Sequence, residues 1–204
     1  MTNLDSLVIF LHGVGSRGAD LAALGESWAP ILPRTAFAAP DAPSPFDGGG
    51  PGRQWFSVAG VTEANRPDRI VAARPAFDAT LRAIVDGHGL AGRLDRVVLV
   101  GFSQGSIMAL DAIASGRWPV GGVVAHSGRL ASPQPLAPAT SSRLLLVHGT
   151  ADPVIPAEQS IAAAKTLAGL GVAADLRLIE GLGHGINAEA AAIAGRFIAE
   201  VLGS

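Results

Sequence analysis

Residues 97–110 read V-V-L-V-G-F-S-Q-G-S-I-M-A-L: a short apolar run, a turn bracketed by glycines, and a stretch of helical composition. Four consecutive apolar residues, mostly β-branched and ended by glycine, are the pattern of a buried strand, and the longer run that follows has helical length. The turn between them, G-F-S-Q-G at 101–105, has the form G-x-S-x-G. In that setting it is a nucleophile elbow, a strained strand-to-helix turn that lifts a serine oxygen clear of the sheet edge. Side chains at Gly101 and Gly105 would collide with neighbouring backbone. The backbone N–H of Gln104, in the first turn of the helix, points to where an oxyanion would form.

Outward from this turn the same alternation repeats. Leu7 to Leu11, Thr35 to Ala38, Arg96 to Val100, Gly121 to Ala125, Leu144 to Val147 and Leu176 to Ile179 read as buried parallel strands. Leu21 to Leu32, Ile70 to Gly87, Gln104 to Ser115, Ala157 to Ala168 and Asn187 to Leu202 read as helices between them. Such a pattern predicts a doubly wound α/β sheet with its ligand site at the strand C-termini. Pro40 to Arg53 and Ser132 to Ser142 are too rich in proline and glycine for either element and read as surface loops. Residues 1–204 are expected to form a single domain.

Composition removes several function classes. A net charge of -2 without a Lys/Arg cluster lacks the footprint of a nucleic-acid or anionic-membrane binder, and no stretch is apolar enough to span a bilayer. No nucleic-acid partner and no stable membrane anchoring are expected. There is no cysteine, so a thiol nucleophile, a disulfide and a thiolate metal site are excluded. The acidic N-terminal residues and short first apolar run do not resemble a signal peptide, and a cytoplasmic location is expected.

A serine hydroxyl needs a neighbouring base, and an imidazole held by a carboxylate suits that role. Of five histidines, His184 in G-L-G-H-G follows the last strand on a glycine loop able to swing over the serine. His88 reads as a surface residue; His12, His126 and His148 follow apolar strands and read as structural hydrogen-bonding groups. Asp152, in H-G-T-A-D-P-V-I-P, follows the strand Leu144 to Val147 and falls between Ser103 and His184, the chain order serine, acid, histidine. Asp41 precedes the serine, and Asp175 opens a strand at the opposite edge. The second oxyanion donor is assigned to the N–H of Val14, in L-H-G-V-G after the first strand.

In order along the chain, L-H-G-V-G at 11–15, A-P-D-A-P at 39–43, R-Q-W-F at 53–56, G-F-S-Q-G at 101–105, H-S-G at 126–128, H-G-T-A-D-P-V-I-P at 148–156 and G-L-G-H-G-I at 181–186 resemble the phospholipase/carboxylesterase family, which includes acyl-protein thioesterases and type II carboxylesterases. The resemblance covers almost the whole chain. It implies a compact α/β-hydrolase fold with a mostly parallel central sheet of about six or seven strands and helices on both faces. It implies the triad Ser103, Asp152 and His184, with Val14 and Gln104 as oxyanion donors. Ser16 departs from the acidic residue many relatives carry there, and the short lead into the first strand implies that N-terminal antiparallel strands are shortened or missing.

The expected reaction is two-step acyl transfer on carboxylic esters of small acids, with no metal and no organic cofactor. An acyl-protein or small-molecule thioesterase or lysophospholipase is the alternative, and a hydrolase-fold binding protein with little turnover is another. Trp55, Phe56, Val154, Ile155 and Ile186 are the apolar candidates for contact with a small-molecule ester or thioester. The loop Pro40 to Arg53 is a candidate cover for the site, and a homodimer is left open.

Overall fold

The computed structural model describes residues 4–203. Its apolar runs pair into one sheet: β1 (Ser6–Leu11), β2 (Thr35–Ala38), β5 (Val97–Phe102), β6 (Gly122–His126), β7 (Arg143–Gly149) and β8 (Ala173–Ile179). The two short strands β3 (Ser44–Pro45) and β4 (Arg53–Gln54) form a separate antiparallel pair. The six-strand sheet has the order β2-β1-β5-β6-β7-β8, and every pairing in it is parallel. The first strand, β1, lies one in from the edge; the chain steps outward to β2, then returns past β1 to β5. That reversal opens a crevice at the C-terminal ends of β1 and β5, where sheets of this kind bind ligands.

Strand periodicity sorts the core into two layers. Leu7, Ile9, Leu11 and Leu99 face helices α2 (Arg66–Gly87), α3 (Gln104–Ala114) and α4 (Glu158–Gly169). Val8, Phe10, Val98 and Val100 face α1 (Ala19–Trp28) and α5 (Ala188–Leu202). Period-2 alternation sends neighbouring side chains to opposite faces, so a continuous apolar run serves both layers at once. The outer strand β8 is different: Ala173, Asp175 and Arg177 are exposed, as suits an edge.

The helices begin and end for local reasons. Asn187 caps α5 by accepting the N–H of Ala190 at 2.8 Å, and Gly203 closes it with φ of 67°. Helix α2 starts at Arg66, four residues before the expected Ile70, because Pro67 sits in the first turn where its missing N–H is no loss. Helix α1 stops at Trp28 instead of Leu32, while β5 and β7 run two residues further into the catalytic edge than expected. The stretch Pro40 to Arg53 is more ordered than a plain surface loop. Its β3–β4 ladder is joined to the loop after β1, where the N–H of Gly15 donates to Arg53 O at 2.8 Å and that of Arg53 to Ser16 O at 2.9 Å. No described helix is long and apolar enough to cross a membrane.

Candidate active site

Ser103 stands at the end of β5 with φ of 52° and ψ of -113°, a conformation L-residues avoid. The turn is held by its surroundings. Ser103 N–H donates to His126 O at 3.0 Å, and the Ser106 hydroxyl donates to the same carbonyl at 2.7 Å. A Cβ on Gly101 would strike Ser106 backbone, and one on Gly105 would strike the carbonyl of Leu11. The two glycines therefore allow the elbow to press against β1, which also brings the loop after β1 to the serine.

Two further loops complete the arrangement. His184 Nε2 lies 2.9 Å from Ser103 Oγ, and His184 Nδ1 lies 2.7 Å from Asp152 Oδ2. A carboxylate oxygen only accepts, so Nδ1 carries the ring proton and Nε2 turns its lone pair to the serine hydroxyl. The other oxygen of Asp152 accepts the amides of Val154 at 2.8 Å and Ile155 at 3.0 Å. Burial pushes the Asp152 carboxyl up, but the bond to His184 and these two amides outweigh it and hold it below the usual carboxylate range. The ring of Phe102 packs against His184 with centroids 5.0 Å apart, which fixes the imidazole from the side.

Three of the remaining histidines have other partners. His12 accepts the N–H of Ala42 at Nε2 (2.9 Å) and donates from Nδ1 to Gly13 O (2.7 Å), tying the segment after β2 to the loop that carries Val14. Burial lowers its pKa, as that neutral tautomer requires. His148 Nε2 donates to Ile155 O at 2.8 Å, and its Nδ1 meets the Ser160 hydroxyl at 2.7 Å, bracing the loop of Asp152 from behind. His88 is exposed and bonds Ile84 O within its own helix end. His126 departs from the hydrogen-bonding role expected of it: among the described residues neither ring nitrogen has a partner, the side chain is wholly buried, and burial pushes its pKa down to about 4.

A cavity of about 190 Å³ opens beside the serine, lined by Ser103, Val14, Gln104, Phe56 and Ile155, with Val154 at its rim and 61% exposed. The amide of Gln104 opens α3, where the first N–H groups of a helix have no intrahelical acceptor, so a substrate oxygen can take it. The Gln104 side chain serves the pocket wall as well, since its Oε1 accepts the N–H of Trp55 at 2.7 Å and its Nε2 donates to Phe56 O at 2.7 Å. This clamp presents Phe56 to the cavity. Two expected contacts lie elsewhere. Trp55 is buried behind the wall, its indole N–H donating to His12 O at 2.9 Å and its ring meeting Phe77 edge-on. Ile186 lines a different cavity of about 520 Å³, bounded by Phe102, Leu21, Leu24 and Asn187.

Sequence reading passed over Arg66 and Arg129, which also line the serine cavity, and the amide clamp of Gln104. Neither arginine stands in a motif. Tertiary folding brings the start of α2 and the segment after β6 together, and spacing alone carries no sign of it.

Comparison with known proteins finds relatives along nearly the whole chain. The family model described as Phospholipase/Carboxylesterase matches residues 2–202. Esterase YpfH of Escherichia coli (strain K12) is 36% identical over 181 residues, covering 89% of this chain and 76% of the relative. Acyl-protein thioesterase 1 of Schizosaccharomyces pombe is 30% identical over 214 residues, covering 97% and 91%. The crystal structure of esterase PE8 superimposes with a TM-score of 0.87 at 35% identity, covering 97% of this chain and 93% of the other. A match running from residue 2 to residue 202 takes in every strand of the sheet, and the chain belongs to the phospholipase/carboxylesterase family of serine hydrolases.

Proposed function

We propose that Ser103 is the nucleophile with which this carboxylesterase cleaves esters of small acids, with His184 as base and Asp152 as its orienting carboxylate. The observation that carries the reading is the unbroken chain of contacts from Asp152 Oδ2 through His184 to Ser103 Oγ, at 2.7 and 2.9 Å. Ser103 Oγ attacks the acyl carbon as its proton passes to His184 Nε2. The carbonyl oxygen, now negative, takes the amides of Gln104 and Val14. Collapse expels the alcohol, which leaves with the proton His184 returns to it, and water repeats the sequence to release the acid. Each oxyanion donor contributes on the order of a hundredfold in rate. The substrate is a small-molecule ester, and we place its turnover in the cytoplasm.

Treatment of the intact protein with a fluorophosphonate, followed by mass spectrometry, tests this directly. A single adduct in the native chain that is missing in Ser103→Ala is the expected result. No adduct in either would leave a binding protein on a hydrolase fold as the better reading. The thioesterase alternative has several relatives in its favour, all named acyl-protein thioesterase 1, two of them at 30% identity. The cavity, at about 190 Å³, suits short acyl groups better than long ones. Matched oxygen and sulfur esters of one short acid separate the two activities.

A further inference from the structure

Acyl transfer to a neutral ester has no use for the two cations in the wall of the serine cavity. Arg66 begins α2 and Arg129 follows β6, and their side chains are only 13% and 10% exposed. Both send Nη1 to the same oxygen of Glu63, at 2.7 and 2.5 Å. Glu63 itself is 77% exposed. Among the described residues, neither guanidinium has another carboxylate partner. Two sheltered cations therefore share one acid that lies mostly in water, and a positive charge is left over in a cavity otherwise walled by Phe56, Val58, Val61 and Ile107. Withdrawn cations call for a counter-charge, and a guanidinium pair matches the two oxygens of a carboxylate.

The side of the scissile bond that meets these arginines follows from the proton path. His184 protonates the leaving oxygen, so the leaving group lies toward His184 and Phe102. The cavity with Arg66 and Arg129 instead shares its walls with Val14 and Gln104, and it receives the acyl part. We propose that this cavity selects esters whose acyl chain ends in a carboxylate, the half-esters of short dicarboxylic acids, with the free carboxylate held by Arg66 and Arg129 in place of Glu63. The selection rests on the Ser103 mechanism above and names its substrate class. Water supplies the oxygen in hydrolysis, and the products are the alcohol and the dicarboxylate.

The test compares kcat/KM for the monomethyl esters of succinate, glutarate and adipate with that for the same esters bearing a terminal carboxamide in place of the carboxylate. The native enzyme is expected to favour the charged ester of the best-fitting length by tenfold or more, on the order of one charge-assisted contact. Glu63→Gln, an exposed change that spares the fold, should raise the ratio of charged to uncharged turnover several-fold, and Arg129→Met should lower it about tenfold. Raising the salt concentration should leave most of the preference intact, because the cations are sheltered. A ratio near one at every chain length, or a Glu63→Gln enzyme with an unchanged ratio and merely a lower melting temperature, overturns the proposal and marks the cluster as structural. Fluorophosphonate labelling of Ser103 in the same preparations keeps the two readings apart. Labelled enzyme without charge preference defeats this proposal alone, and unlabelled enzyme that turns over neither ester defeats both.

Discussion

Asp152 uses both oxygens, one on His184 and one on the amides of Val154 and Ile155, so its replacement by asparagine would keep the turn while offering the imidazole the wrong partner. Asp152→Asn is expected to fold normally and lose on the order of 10⁴ in kcat, measured on any ester the native enzyme accepts. Full activity in that variant would move the acid to another residue. His126 makes a different forecast. Both of its ring nitrogens are buried without a hydrogen-bond partner among the described residues, and its pKa is pushed down to about 4. In the unfolded chain the same ring titrates near its ordinary value of about 6.5. Between those values the unfolded state binds a proton that the folded state excludes, so stability falls as the pH falls through this window. The loss from pH 7 to pH 5 is expected to be about 2 kcal/mol, read from urea unfolding, and His126→Leu should flatten that slope. At this scale the sequence was a good guide to which side chains meet wherever their placement is local. Ser103, Asp152 and His184 each stand in a short motif beside a strand end. Trp55 and Ile186 also stand beside motifs, but which way an apolar side chain turns depends on the pleat and on the neighbouring helix.

Between elements, the least predictable feature is the joint of α2 with α3. Asp111 is fully buried on α3 and accepts from Arg74 of α2 at 2.9 and 2.8 Å and from Arg117 at 2.9 Å. Arg117 reaches on to Asp78, which also accepts the indole N–H of Trp118 at 2.8 Å. Burial pushes the Asp111 carboxyl up, yet Arg74, Ser132 and Arg117 together hold it below its ordinary range. Its contribution is therefore present above the unfolded carboxylate pKa and lost in strong acid. Asp111→Ala would leave two guanidinium groups facing a dry hole, at a cost of about 3 kcal/mol in a denaturant titration. An effect below about 1 kcal/mol would mean that solvent reaches the arginines readily. Helix and strand identities were readable from periodicity; the ends were not. Helix α2 takes in Pro67, outside the expected span, because it lies in the opening turn, and Pro75, inside that span, is carried by packing of Phe77 and Leu81 on the core.

For the molecule as a whole, alternation of strands and helices announced a parallel sheet, but the strand order that makes the crevice came from the folded chain. Nothing in the spacing of β1, β2 and β5 says that β5 returns to the inner side of β1. The sheet joins both core layers, and we propose that the described residues unfold as one unit. The three tryptophans allow a check, since Trp28 lies in the layer of α1 and α5 while Trp55 and Trp118 lie in the other. Tryptophan fluorescence and far-ultraviolet circular dichroism should trace coincident transitions, and separate midpoints would divide the chain into two units. Val154, standing exposed at the rim of the serine cavity, has a practical consequence in a chain without cysteine. Val154→Cys would supply the sole thiol, on a residue whose amide alone serves Asp152. A polarity-sensitive dye attached there would turn the mouth of the pocket into an optical gauge of occupancy, able to report silent ligands that release no coloured product.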